Sequence, residues 1–257
     1  MSEHDTWYAC SGYENDVVLA TKVKLSRNLA NFPFPSKLKG GDGERIQSLV
    51  FDAFNHFEDG EDFQAIAVNR LDELSGRILQ ERGVLEALDV KAPSFKDSGV
   101  ILRTDGRVSC TVNIIDHVNL AAFAPGMNFD EAIRLAKDID SGLQKKLQFA
   151  ASYDFGYLTS SLTDAGSGLK LSLRLHLPSL AMLSKIRSLY DVLKEKGVAL
   201  SCSFGSGGTE LVSANGSSGT SLGAYYDVPL TDCQSGTELD QTACISSVGA
   251  HIRDMER

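Results

Sequence analysis

The segment Lys170–Pro178 reads KLSLRLHLP, and its strict alternation points to the fold class. On a strand, successive side chains point to opposite faces. Leu171, Leu173, Leu175 and Leu177 then share one face and pack a core, while Lys170, Ser172, Arg174 and His176 share the other. Two readings of that polar face stand side by side. It is an ordinary solvent-facing side, or it is the floor of an anion-binding cleft, because a polar face on a central strand needs water or a ligand to satisfy it.

Working outward, Val17–Leu25 reads VVLATKVKL and predicts another strand, with Lys22 and Lys24 two apart on one face. Gly99–Arg103 and Val108–Ile115 flank Thr104-Asp105-Gly106 and predict a hairpin. Tyr157–Ser161 and Val198–Phe204 read as further extended segments. Helical spacing covers Glu44–Phe57, Asn69–Leu88, Phe129–Phe149, Leu180–Lys196 and Leu239–Glu256. Hairpins with separate helices predict an α+β fold with a mainly antiparallel sheet. The break KAPSFKD (91–97) suggests a division into 1–94, a strand and helical region, and 95–257. The Gly/Ser-rich stretch Gly205–Gly223 reads as a loop.

Composition narrows the function classes. The 257 residues are 42% hydrophobic and 23% charged, with a formal charge of −9. That field argues against general nucleic-acid binding, which needs clustered Lys and Arg. The five cysteines, Cys10, Cys110, Cys202, Cys233 and Cys244, form no C-x-x-C pair, so neither a disulfide framework nor a structural zinc site is expected. There is no signal-like N-terminus and no apolar run of membrane-spanning length. The expectation is a cytoplasmic protein without a membrane partner.

The isolated motifs are weak. Asp116-His117 is an adjacent acid–imidazole pair at a strand end. Gly205-Ser206-Gly207-Gly208 follows a strand but lacks the P-loop ending G-K-[ST] and the full G-x-S-x-G pattern.

Taken together and in order, four longer segments say more. NDVVLATKVKLSRNLANFPFP, VNIIDHVNLAAFAPGMNFDEAI, FGYLTSSLTDAGSGLKLSLRLHLPSL and GVALSCSFGSGG resemble the ATP:guanidino phosphotransferases, or phosphagen kinases, and most closely the bacterial protein-arginine kinases. The resemblance implies a small, mostly helical N-terminal region followed by a large antiparallel sheet flanked by helices, akin to the glutamine synthetase fold. It implies ATP with Mg²⁺ and a guanidinium acceptor. It also implies, by analogy, a protein partner such as an adaptor, a kinase or a Clp-type protease. Because the chain ends near the end of the family's kinase domain, the further C-terminal domain of the bacterial enzymes is expected to be missing.

Guanidino transfer needs carboxylates that grip a planar cation bidentately and help remove its proton. It also needs cations fanned around the phosphates. By the resemblance, the family's two glutamates after Asn113 are Ile114 and Ile115, and a third carboxylate position is Ser206. The family's arginines fall at Lys22, Lys24, Asn119, Lys170 and Ser201. A cysteine position is Ser161, an asparagine is Asp164 and a tyrosine is Phe204. Lysine keeps the charge of arginine but loses its planar fork. Asp116 is retained, with framework residues such as Arg27, Asn28, Gly156, Tyr157 and Pro178.

No catalytic residue is therefore assigned. The candidate nucleotide-binding residues are Lys22, Lys24, His117, Asn119, Lys170, Arg174, His176 and Gly205. The leading expectation is a pseudokinase with a binding or regulatory role. The alternative is an active phosphotransferase moving the ATP γ-phosphate to a guanidino group or another acceptor, with Glu210 standing in for Ser206. A third reading is weak binding of ATP or ADP without turnover.

Overall fold

A computed structural model describes residues 6–85, 95–204, 221–231 and 236–257. Gly205, Ser206, Glu210, Cys233 and most of the Gly/Ser-rich stretch lie outside the described residues.

Eight strands form one sheet. They are β1 (Val18–Arg27), β2 (Phe63–Ala67), β3 (Gly99–Arg103), β4 (Val108–Val112), β5 (Val118–Pro125), β8 (Leu169–His176), β9 (Ser201–Cys202) and β10 (Tyr225–Pro229). A small hairpin, β6 (Ala151–Ser152) with β7 (Gly156–Tyr157), stands apart. The order across the sheet is β2-β3-β4-β5-β1-β8-β10-β9, and every neighbouring pair is antiparallel. The expected α+β class with a large antiparallel sheet is what forms.

The alternation in β8 holds residue by residue. Leu169, Leu171, Leu173 and Leu175 are at most 1% exposed, and the polar residues between them are half-buried. The leucine face joins Val23 and Leu25 of β1 and Leu120 and Ala122 of β5 in the main core. Helices α1 (Asp42–Asn55), α3 (Phe129–Gln144), α4 (Pro178–Met182), α5 (Ile186–Glu195) and α6 (Glu238–Glu256) contribute to that core. In α3 the buried Phe129, Ala132, Ala136, Ile139 and Leu143 recur at helical spacing. Asn128 caps its first turn by accepting the Glu131 N–H. Gly249 lets α6 lie close on β8, since a Cβ there would meet Leu173 Cδ1 at 2.5 Å. None of the helices, among the described residues, is long and apolar enough to cross a membrane.

Several sequence expectations are corrected. The helix read over Asn69–Leu88 is α2 (Glu73–Glu81), because the Asp72 carboxylate accepts the Ser75 N–H and fixes the start there. The helix read over Leu180–Lys196 breaks into α4 and α5 at Ser184, whose φ is +56°. Of Val198–Phe204 only Ser201–Cys202 pairs as strand. Asp116 and His117 precede β5 rather than ending a strand. Strands β2 and β10 were not anticipated. The division at 94/95 does not part the sheet: β1 lies between β5 and β8, and β2 pairs with β3.

Candidate functional site: a cationic cleft

The polar face of the sheet carries the site. In β1, alternation puts Lys22, Lys24 and Ser26 on it. Register then places Lys24 opposite Lys170 and Ala121, Lys22 opposite Ser172 and Phe123, and Arg174 opposite Ala20 and Asp227. Two adjacent strands, β1 and β8, thereby bring together cations that are up to 152 residues apart in sequence, Lys22 to Arg174. Above them a cleft of about 610 Å³ is lined by Lys22, Lys24, Lys170 and Arg174, with Arg77 and Arg82 from α2 and its flank. Among the described residues, only Glu81 and Asp227 are acidic in the lining, in a chain whose formal charge is −9. Such a cleft concentrates positive potential against the sign of the whole molecule.

The cleft's cations have partners within the chain. Arg174 clasps Asp227 bidentately, Nε to Oδ1 at 2.8 Å and Nη2 to Oδ2 at 3.1 Å, and its Nη1 donates to the Glu81 carbonyl at 2.7 Å. Lys22 Nζ donates to the Gly83 carbonyl at 2.6 Å and stands 5.7 Å from the Phe123 ring centroid. Lys170 Nζ lies 3.3 Å from Asp164 Oδ1. Asp164, aligned with an uncharged asparagine in the family pattern, is 6% exposed.

Beside the lysines the floor turns apolar. Ile114, Ile115, Val84, Leu85 and Ala121, with Ser109, Thr111 and Asn119, enclose about 30 Å³ together with Lys22 and Lys24. That is room for about one water. Among the described residues, no carboxylate lines this space. Asn119 is spent on the sheet, accepting the Ser26 hydroxyl at 2.8 Å. Ile114 also packs against the small cluster of Val68, Leu79, Leu85 and Val100.

Two candidate residues, His117 and His176, line neither the cleft nor the small space beside it. His117 is fully buried; its Nδ1 accepts the Leu29 N–H at 3.0 Å, and Nε2–H donates to the Pro33 carbonyl at 3.0 Å. Both ring nitrogens serve the backbone, so His117 is corrected from nucleotide ligand to structural clamp. Burial lowers its pKa, outweighing the Pro33 carbonyl and the neighbouring Asp116. His176 instead stacks on Tyr225, centroids 4.7 Å apart, and Phe204 packs edge-on to the same tyrosine. Phe204 lines the cleft, so this aromatic group borders it.

Asp116 is likewise structural. It is fully buried, and its Oδ1 accepts Asn28 Nδ2 and the Ser160 N–H, each at 2.6 Å. Arg27 is held the same way, paired with Asp140 at 3.0 Å and set 3.7 Å over the Tyr157 ring. Sequence reasoning missed Asp227, the carbonyls of Glu81 and Gly83, and Cys202, a cleft-lining thiol whose pKa burial raises. Alternation in YYDVP would have flagged Asp227 once β10 was recognised; backbone carbonyls leave no mark in a sequence.

A cleft lined by cations on a large antiparallel sheet suits anionic groups. A family model, ATP:guanido phosphotransferase, C-terminal catalytic domain, matches residues 45–214. The chain belongs to this family. It is 27% identical over 246 residues to a protein-arginine kinase of Syntrophomonas wolfei, covering 95% of this chain and 65% of that one. It is 33% identical over 211 residues to a protein-arginine kinase of Moorella thermoacetica, covering 80% and 59%. The chain thus spans under two thirds of the length of both relatives. The duplicated taurocyamine kinase from Schistosoma mansoni, solved with transition state analog components, superposes with a TM-score of 0.74 at 17% identity, covering 96% of this chain and 34% of that chain. At that identity the match speaks to the fold.

Proposed function

We propose that this chain is a protein-arginine-kinase-like protein that has lost guanidino phosphotransfer and keeps an anion-binding cleft for a binding or regulatory role. One observation carries the reading. Where the family pattern has paired glutamates, Ile114 and Ile115 line a space of about 30 Å³ that no carboxylate among the described residues lines. A guanidinium entering there would lose its water and find no counter-charge. It would also stay protonated and non-nucleophilic, with no base in reach.

The phosphate side is different. Lys22, Lys24, Lys170 and Arg174 hold positive charge where ATP or ADP phosphates would lie, and the His176–Tyr225–Phe204 group offers a stacking surface at the cleft's border. Mg²⁺ would arrive with the nucleotide and offset its charge. The chain's own residues would position the phosphates and exclude water. A protein partner, whether an adaptor, a kinase or a Clp-type protease, fits a subunit that binds without turning over.

The test is transfer of labelled phosphate from ATP to free arginine and to protein arginines by the purified chain. Blank-level transfer is the expected result. A second reading, a working phosphotransferase, has one specific support: Asp227 and Glu81 are acidic groups within the larger cleft. Asp227 is tied up by Arg174 in both oxygens, which argues against it as a base. Transfer well above blank that Asp227→Asn abolishes would establish that reading and sink the first.

A further inference from the structure

The last turn of α2 sits in the cleft as a ligand would. Its Gly83 carbonyl accepts from Lys22 Nζ, 61 residues away in sequence, and its Glu81 carbonyl accepts from Arg174 Nη1, 93 residues away. The Glu81 carbonyl closes α2, where unpaired C=O groups and the helix dipole gather about half a negative charge, and the Gly83 carbonyl follows just past the Arg82 C-cap. An anionic pole therefore faces two cations of the cleft floor.

Two independent features seat the turn there. From behind, Leu79 and Leu85 are buried at 5% and 4% exposure in a cluster separate from the main core. In front, Gly83 adopts φ +73°, and a Cβ there would stand 3.2 Å from Arg174 Nη2. A glycine takes that left-handed conformation without strain and lets the backbone come this near the guanidinium.

We propose that the turn at residues 81–85 is an in-cis ligand of the cleft, and that polyphosphate anions compete with it for Lys22 and Arg174. This rests on the reading of the cleft as anion-binding and adds its regulation. A phosphate chain brings more charge than two carbonyls but must first displace them. The small cluster behind the turn makes its release a local event rather than global unfolding. The native chain is thus a weak binder, and a partner that draws α2 away makes it a stronger one.

Calorimetry with inorganic tripolyphosphate and with Mg-ADP tests this on the native chain, Gly83→Val and Leu79→Ala. Valine strains the left-handed position and crowds Arg174; alanine loosens the turn from behind; neither variant removes a cleft cation. Both are expected to bind on the order of tenfold tighter than the native chain, the scale of one charged hydrogen bond. Hydrogen exchange on the native chain gives a second readout that needs no variant. Tripolyphosphate should speed exchange at Arg82, Gly83, Val84 and Leu85, whose amides donate to the Ile78, Gln80 and Leu79 carbonyls. Equal affinity in all three proteins, or binding to the native chain without faster exchange there, would overturn the competition. No binding by any of the three at millimolar anion would bring down the anion-binding reading beneath it instead.

Discussion

The knot at Asn28, Asp116 and His117 and the cleft at Lys22, Lys170 and Arg174 are both polar, both non-local and both drawn from family motifs. They differ in what satisfies them. In the knot most partners are fixed backbone groups: Ser160 N, Leu29 N, Pro33 O, and the His117 N–H donating to Asn28 Oδ1. In the cleft the partners are Asp227, about one third exposed, the buried Asp164, and the end of a short helix with the turn after it. A buried group loses heavily when its partner goes, whereas an exposed one turns to water. The knot is therefore held by stability. The cleft is free to change, and it is at the cleft, at Lys22, Lys24, Lys170, Ile114 and Ile115, that the resemblance implies departures from the family pattern.

The largest break in that contrast is expected from Asp116→Ala. It removes a fully buried acceptor from the Ser160 N–H and from Asn28 Nδ2, which keeps only the Leu158 carbonyl at 3.1 Å. Two hydrogen bonds to a charged acceptor should cost about 3 kcal/mol or more in urea unfolding. A loss below about 1 kcal/mol would mean the knot is not what holds these segments.

Next comes His117 and pH. Its folded pKa lies below the unfolded value of about 6.5. Its contribution is therefore complete above that value and lost as pH falls, because the unfolded chain takes up a proton that the folded chain resists. Stability should decline below about pH 6.5 by at most about 1.4 kcal/mol per pH unit from this group. His117→Gln should flatten that part of the profile. A profile unchanged by the substitution would locate the titration elsewhere.

On the cleft side, Lys22→Ala with Lys170→Ala should abolish the thermal shift given by Mg-ADP, since a ligand of the folded state alone stabilises it by mass action. The smallest stability effect is expected from Asp227→Asn. The Arg174–Asp227 pair is 19% and 32% exposed, so its loss should cost no more than about 1 kcal/mol. The same change frees Arg174 and should tighten tripolyphosphate binding. A cost of several kcal/mol would make the pair part of the framework and erase the contrast.

Much of the fold was legible because it rests on local periodicity. LKLSLRLH announces a half-buried strand, and the alternation of exposure follows it residue by residue. Phe129–Phe149 announces α3 through its apolar spacing. β2 and β10 were hidden: FQAIA and YYDVP are too short to hold a period, and pairing with β3 and β8 makes them strands. The substitutions at Ile114 and Ile115 could be read directly. The role of His117 could not, because its partners are backbone atoms of residues 29 and 33.

By itself the sequence determined which faces of β1 and β8 are polar, since alternation is a property of neighbouring residues; that Ile114 and Ile115 stand at carboxylate positions is what the family resemblance implies. Only the tertiary structure decided that β1 lies between β5 and β8, and that the end of α2 meets Lys22 and Arg174. Those contacts join residues 61 to 157 positions apart, several through main-chain atoms common to every residue, so no local pattern could carry them.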